Sequence, residues 1–307
     1  MSTVNRADPL AFPPGLLLVH KRAGETSFGK VREVQAQLEA AQLKLPVSHA
    51  GALDPFAEGL VILLLGPATR LMNALHVAPK RYVAQIAWGT ETDSGDLGGK
   101  VVASGEPSAL TPESLDAALP AFLGWRDQVP PSTSNKRVDG ERAYVKAHRG
   151  EVFEVPPSRV YLHDARWVSH ALPASSTLEL SCGGGFYVRS LARDLGRSVG
   201  ARAHLTGLRR TAIGPWREPA PGAAVPVTGR ALLPWCPSRE VTGAEANTLR
   251  QGGAIARGEF RPPEWPLPDG FFEGPLPVRA FQAERLVALL EAQDARTLRS
   301  SVWLRGL

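Results

Sequence analysis

The stretch "SHAGALDPFAEGL", residues 48 to 60, sets one carboxylate, Asp54, between a leucine and a proline, with glycines at 51 and 59. The apolar run "VILLLG" follows at once, so a charge stands where the chain enters a core. Pro55 disfavours the helical region for the residue before it, and the Asp54 carboxylate therefore leaves an extended or turning backbone. Gly51 lets the chain bend, or approach another backbone closely, just ahead of it. Two readings are open: Asp54 satisfies turn amides, or its charge is held there for chemistry.

A second stretch offers a partner. In "CGGGFYVRSLARDLG", Arg189 opens a helix just past three glycines. A guanidinium beside Asp54 would offset desolvation and keep the carboxylate ionised; the alternative is a surface arginine. Glycines before a helix suit an anion at its N-terminus, yet neither GxGxxG nor GxxxxGK[ST] spacing is present, which argues against a nucleotide cofactor. Tyr82 begins an alternating strand after Lys80 and Arg81, a place from which a ring stacks on a base. Tyr82 and Tyr187 read equally well as core or rim tyrosines. His49 alone reads as a hydrogen-bonded structural histidine. With no Ser-His-Asp signature, no HExxH and no convincing acidic pair, a hydrolase using Asp54 or a metal enzyme is poorly supported.

These residues need elements to position them. "LLLVH" at 16–20 reads as a buried strand, and Thr26 or Ser27 caps a helix through about Leu43. "LVILLLG" reads as a strand buried on both faces, and "PATRLMNALH" as a helix with Pro67 near its first turn. "KRYVAQIAWG" alternates with period two, putting Tyr82, Ala84, Ile86 and Trp88 on one face. "TDSGDLGGK" is a turn with "VVAS" as its return strand. Thr111 and Pro112 open a helix that Pro120 ends or kinks. The segment at about 128–151 is polar, basic and broken by prolines, an excursion from the core. Strands follow at "RVYLHDARWV" and "STLELSC"; a helix from Val188 ends at Gly200, and "AHLTGLRRTAIGPW" returns as a strand. From about 218 a Pro/Gly/Ala linker leads to a small β-rich module. The organisation expected is an α/β or α+β catalytic domain, residues 1–228, with an appended module at 229–307.

Charge narrows the partner. The net charge is +5, the isoelectric point about 9.5, and arginine supplies 28 of the 35 basic residues. Arginine forks onto phosphates and stacks on bases, so the bias suits RNA, although codon composition explains it equally well. The chain is 43% hydrophobic with no apolar run near the ~20 residues that span a bilayer. Its first fifteen residues lack a secretory leader's basic flank and apolar stretch. Cys182 and Cys236 stand far apart, which fits a reducing cytoplasm and neither disulfide nor zinc.

Together these stretches resemble the bacterial TruB family of tRNA pseudouridine-55 synthases, over nearly the whole chain. The family's motif runs roughly G-H-T-G-x-L-D-P-x-A-x-G-x-L. "KRYVAQIAWGTETDSGD" is similar to its K-x-Y strand and following turn, "GGGFYVRSLARDLG" to its G-T-Y-(I/V)-R-x-L-x-x-D-L-G segment, and "AHLTGLRRTAIGPW" to its A-x-(L/V)-x-x-L-R-R segment. Ser48, Ala50, Arg22 and Phe186 depart from the usual residues, which bears on loop positioning and rate but not on the nucleophile.

The resemblance implies a pseudouridine-synthase fold: a mixed, mostly antiparallel sheet with flanking helices, plus a small PUA-like C-terminal RNA-binding module. It implies Asp54 as the catalytic aspartate, Arg189 as its ion-pair partner, and His49, Tyr82, Tyr187 and Leu208 as contacts around the target uridine. The reaction breaks the bond from ribose C1′ to uracil N1, turns the base and rejoins it through C5, an isomerisation that needs no cofactor and no metal. Asp54 would capture C1′, remove the 2′ proton through a glycal, or add at C6. The implied partner is tRNA, bound at its T stem-loop by a cytoplasmic monomer with no membrane and no protein partner. Lys136 to Arg149, Arg202, Arg209 and Arg210 are candidates to grip phosphates, against solvated charge as the alternative. A non-catalytic RNA-binding or tRNA-folding module of the same shape is the rival reading.

Overall fold

The apolar run at residues 60–65 is wholly excluded from solvent. It belongs to the strand Glu58–Leu65, antiparallel to Gly15–Lys21 with Leu17 opposite Leu63. Ala224–Val227 pairs with the other side of Gly15–Lys21, and Val47–His49 pairs with Glu58–Leu65 so that His49 lies opposite Leu63. A strand buried on both faces has no need to alternate, hence its continuous run of leucine, valine and isoleucine.

The structure, a computed structural model, describes residues 13–305 and 307. The N-terminal stretch read for a leader lies, through residue 12, outside the described residues. The chain divides into two compact units. One comprises the described residues up to Pro55 with Gly59–Ala78 and everything from Pro215; the other comprises Phe56–Glu58 and Pro79–Gly214.

In the first unit, the helix Ser27–Ala40 starts where expected. Thr26 Oγ1 accepts from the Gly29 amide at 2.9 Å, and Val31, Val34 and Leu38 turn inward. "PATRLMNALH" differs from a plain α-helix: Gly66–Leu71 is a 3₁₀ turn, and only Met72–His76 is α-helical. Pro67 at the start removes a donor, and a tight i→i+3 turn suits such a short piece. The C-terminal stretch builds a five-stranded sheet in the order Ser238–Glu240, Val278–Gln282, Arg285–Ala292, Thr297–Trp303, Ala254–Ala256. Its first pairing is parallel and the rest are antiparallel. The helix Gly243–Arg250, begun by a reciprocal Thr242–Glu245 capping box, buries Ala246 and Leu249 in this sheet's apolar core.

The second unit is an antiparallel sheet in the order Ala203–Ile213, Lys80–Trp88, Ser175–Cys182, Ser158–Ala171, Gly124–Gln128. Along Lys80–Trp88 the even positions are buried, and Arg81 and Gln85 are exposed. The helix Val188–Ser198 packs on Ala203–Ile213 and buries Val188, Leu191 and Leu195. Thr90–Thr92 and Val101–Ser104 form the expected turn and return strand. Thr111 caps the helix Pro112–Ala118, and at Pro120 the chain tightens into a 3₁₀ turn. The basic excursion folds as a hairpin, Arg137–Val138 with Glu141–Arg142, and a helix, Ala143–His148. Val138, Ala143, Val155 and Phe153 give it a small apolar cluster of its own. The fold is a mixed α/β one, with large, mostly antiparallel sheet, flanking helices and a β-rich C-terminal region.

Candidate active site

Asp54 is half-buried in an irregular loop of the first unit, and both of its neighbours are pinned. On one side the Leu53 amide donates to Ser27 Oγ at 2.9 Å, and that hydroxyl lies 3.3 Å from the Leu53 carbonyl. On the other, the Pro55 carbonyl accepts from the Gly24 amide at 2.8 Å and from Lys21 Nζ at 3.3 Å. Lys21 is fully buried and also donates to the carbonyls of Arg22 and Glu25, at 3.1 and 2.9 Å. Gly51 has φ +95°, a backbone that L side chains rarely adopt, so glycine is what permits the bend before the acid. The loop is therefore a fixed mount for one carboxylate.

In the second unit, Tyr82 sits on the strand Lys80–Trp88, opposite Leu180 on one side and Arg210 on the other. Leu208 is opposite Ala84, two residues on, so Tyr82 and Leu208 share one face of the sheet. Both are 7% exposed. The same alternation corrects the reading of Arg210 as a surface phosphate contact. It is 1% exposed, on the Tyr82 face, whereas Arg209 is the exposed member of the pair. Arg202 is engaged with Glu91 at 3.5 Å. Burial pushes the Lys80 ammonium down to about 8, with the Arg210 charge working in the same direction, and pushes the neighbouring Cys182 thiol up to about 12.

Arg189 is not a surface helix arginine. It is 4% exposed in the first turn of its helix. Its Nη1 donates to the Ser94 carbonyl at 2.8 Å and to Thr133 Oγ1 at 2.6 Å, and lies 3.4 Å from Asp96 Oδ2. Gly95, at φ +73°, passes so close that a Cβ there would meet Arg189 Cβ at 3.2 Å, which accounts for the glycine in "TDSGD". Tyr187 is the N-cap residue of that helix. Its amide and carbonyl are both taken by the side chain of Gln128, at 2.9 and 3.0 Å. Ser190 Oγ ties the next turn to the Val129 carbonyl at 2.7 Å. Gln128, Ser27, Lys21, Thr133 and Asp96 were not read as site residues from the sequence. Asp96 carries a turn signal in "TDSGD" and Ser27 a helix-cap signal, and neither is a signal of chemistry.

Among the described residues no group of three or more His, Cys, Asp or Glu converges as metal ligands would. No helix among them is long and apolar enough to cross a membrane.

Residues 39–188 match a family described as TruB family pseudouridylate synthase (N terminal domain). A tRNA pseudouridine synthase B of Caulobacter vibrioides is 37% identical over 300 residues, covering 92% of this chain and 93% of that protein. The chain belongs to the TruB family of pseudouridylate synthases. A Rhodococcus jostii tRNA pseudouridine synthase B is 36% identical, across 78% of this chain and 81% of its own. With the Rhodopseudomonas palustris protein of that name the identity is 39% over 204 residues, and the match spans 54% of that relative's length. Two solved structures share the fold. One is an H/ACA RNP bound to a substrate RNA containing 2′-deoxyuridine, with TM-score 0.66 and 17% identity over 96% of this chain and 86% of that one. The other is a Cbf5–Nop10–Gar1 complex, with TM-score 0.65 and 20% identity over 94% and 84%. Of the TruB site residues expected, His49, Asp54, Tyr82 and Tyr187 fall inside the matched family segment, and Arg189 and Leu208 lie beyond its end.

Proposed function

We propose that this chain isomerises uridine-55 in the T arm of tRNA to pseudouridine, with Asp54 as the reacting carboxylate. The observation that carries the reading is the mount of Asp54 in the TruB motif: a half-buried acid whose two chain neighbours are each held by a buried side chain. A turn-capping aspartate needs no such mount, but a reagent does, because misplacement of about 1 Å costs about 10²-fold in rate. Arg189 serves as its counter-charge. Tyr82 stacks on the flipped uracil, Leu208 packs beside it on the same sheet face, and His49 and Tyr187 border the base. Removing the base from its stack costs a few kcal/mol, and stacking on an aromatic ring returns about 1–3 kcal/mol.

In this reading residues 1–228 are the catalytic domain, and 229–307 are a PUA-like RNA-binding module. The excursion at about 128–151 and the exposed Arg209 grip phosphates. The enzyme works on tRNA in the cytoplasm as a monomer. Tritium release from tRNA labelled at uracil C5 tests it directly. The wild-type chain releases tritium, and Asp54→Asn abolishes release while tRNA binding stays within about tenfold, or ~1.4 kcal/mol. Binding without release by the wild-type chain would leave an RNA-binding or tRNA-folding module in its place.

A further inference from the structure

The sheet of the second unit has two unlike faces. Residues paired across strands share a face, so Tyr82, Lys80, Cys182 and Leu162 lie together on the buried one. The reverse face stays open to solvent: Arg81 and Gln85 on one strand, Glu179 on its neighbour to one side, Arg209 on its neighbour to the other. One solvated face is ordinary in an antiparallel sheet, so openness alone assigns it nothing.

The edge of that face carries more. Tyr161 stands directly opposite Trp125 on the neighbouring strand, with ring centroids 5.1 Å apart. His163, two residues on, continues the row at 6.2 Å from Tyr161. The Arg159 guanidinium, two residues back, lies 5.2 Å from the Trp125 ring centroid. Val160 and Leu162 alternate with these residues and are buried, so the row is turned away from the face of Tyr82. Arg159 and His163 are exposed, and the two larger rings are half-buried.

Cross-strand aromatic pairing steadies an edge strand, and it accounts for Trp125 and Tyr161. It needs neither an exposed imidazole nor an arginine laid over the indole. A protein partner favours a core depleted of charge, whereas these rings adjoin guanidinium and carboxylate groups. Rings in a row beside arginines, on an open sheet face, suit an unpaired RNA strand: bases stack on the rings and phosphates meet the arginines.

We propose that this row is a platform for single-stranded RNA, on the sheet face opposite Tyr82 and independent of the reaction at Asp54. Every base has a face to stack, so the platform is tolerant of sequence, and it excludes a duplex, whose bases are already stacked.

Fluorescence anisotropy of a labelled oligocytidylate of about ten nucleotides tests it on the full-length chain, because cytidine offers the isomerisation no substrate. The wild-type chain should bind it, and should go on binding it in the presence of a saturating, unlabelled T-arm stem-loop. Tyr161→Ala should weaken oligonucleotide binding about tenfold, the loss of one stacked base, whereas Tyr161→Phe keeps wild-type affinity. His163→Ala and Arg159→Glu lie at exposed positions and repeat the test should Tyr161→Ala melt early. None of these variants should change tritium release from the stem-loop. The proposal is overturned if oligocytidylate does not bind, if the stem-loop displaces it completely, or if the variants bind it as the wild type does. Binding of a proline-rich peptide to these rings in place of the oligonucleotide would also overturn it, and would make the face a protein-docking surface. Oligonucleotide binding here by a chain that releases no tritium would count against the proposed function and leave the platform standing.

Discussion

Lys21 Nζ lies 3.3 Å from the carbonyl of Pro55, a hydrogen bond that joins a buried lysine to the residue directly after Asp54. The same ammonium serves two carbonyls of its own turn. It thus fastens the end of the first strand to the loop that carries the acid. Burying a lysine is costly unless its donors are satisfied, and three backbone oxygens do that here. Ser27 fastens Leu53 from the other side.

Lys21→Met removes the ammonium shared by those carbonyls, leaves the Pro55 carbonyl to the Gly24 amide alone, and should let the loop drift. Single-turnover rates should fall by about 10²-fold, the usual cost of misplacing a reacting group by about 1 Å. Ser27→Ala orphans the buried Leu53 amide and should destabilise the fold by about 1–3 kcal/mol in urea. A Lys21→Met variant with wild-type rates would remove the lysine from the positioning of Asp54.

The Gln128 side chain makes a graded test at the helix carrying Arg189. Gln128→Ala removes both contacts to Tyr187: the amide loses its Gln128 acceptor, a loss of about 1–3 kcal/mol for an unsatisfied buried group, whereas the carbonyl keeps the Leu191 amide at 3.1 Å. Gln128→Glu keeps an acceptor for the amide but loses the donor to the carbonyl. Melting temperature and RNA affinity should therefore fall in the order wild type, Glu, Ala. Equal behaviour of all three would show that the clamp does not order Tyr187.

Much of the frame could be read in the residues themselves. Thr26 and Thr111 announce helix starts by side-chain chemistry, and the alternation of Lys80–Trp88 assigns Tyr82 to the buried face. The Asp-Pro step biases Asp54 away from the helical region, toward an extended or turning backbone. What stayed hidden depends on partners distant in the chain. Gln128 meets Tyr187 across 59 positions, and Arg189 meets Ser94 across 95. Arg210 shows why charge alone misleads: consecutive arginines read as a basic surface, yet the strand must turn one of them inward. Local rules set each element's start and face, whereas tertiary pairing decides which polar side chains are spent inside.

Lys80 gives a pH dependence of known sign. Its ammonium titrates near 8 when folded and near 10.5 when unfolded, so between these values the unfolded chain binds the extra proton. Stability from this group should therefore rise with pH from about 8 to 10.5 and stay flat below. Cys182 opposes it above pH 9, since its thiol is pushed up to about 12 in the folded state. Urea midpoints of wild type and Lys80→Met, compared from pH 7 to 10.5, isolate the lysine: the gap in favour of the methionine variant should narrow as pH rises. A gap that stays constant across that range would place a proton on Lys80 throughout.

Arg189→Met and Arg189→Lys separate charge from shape at the helix start. The guanidinium reaches Ser94, Thr133 and Asp96 at once. A lysine keeps the positive charge, but as a point and not a planar fork. If Arg189 is the counter-charge of Asp54, methionine should lower turnover by orders of magnitude, and lysine should fall between. Methionine should also leave Asp96 without its cation, an effect visible as lost stability. Asp96→Asn distinguishes that loss from catalysis: it breaks the same ion pair with the arginine charge in place. Turnover in Asp96→Asn should then stay within about tenfold of wild type, a change of ~1.4 kcal/mol. Equal losses in Asp96→Asn and Arg189→Met, measured at saturating RNA, would assign Arg189 to the architecture of the turn and not to the chemistry at Asp54.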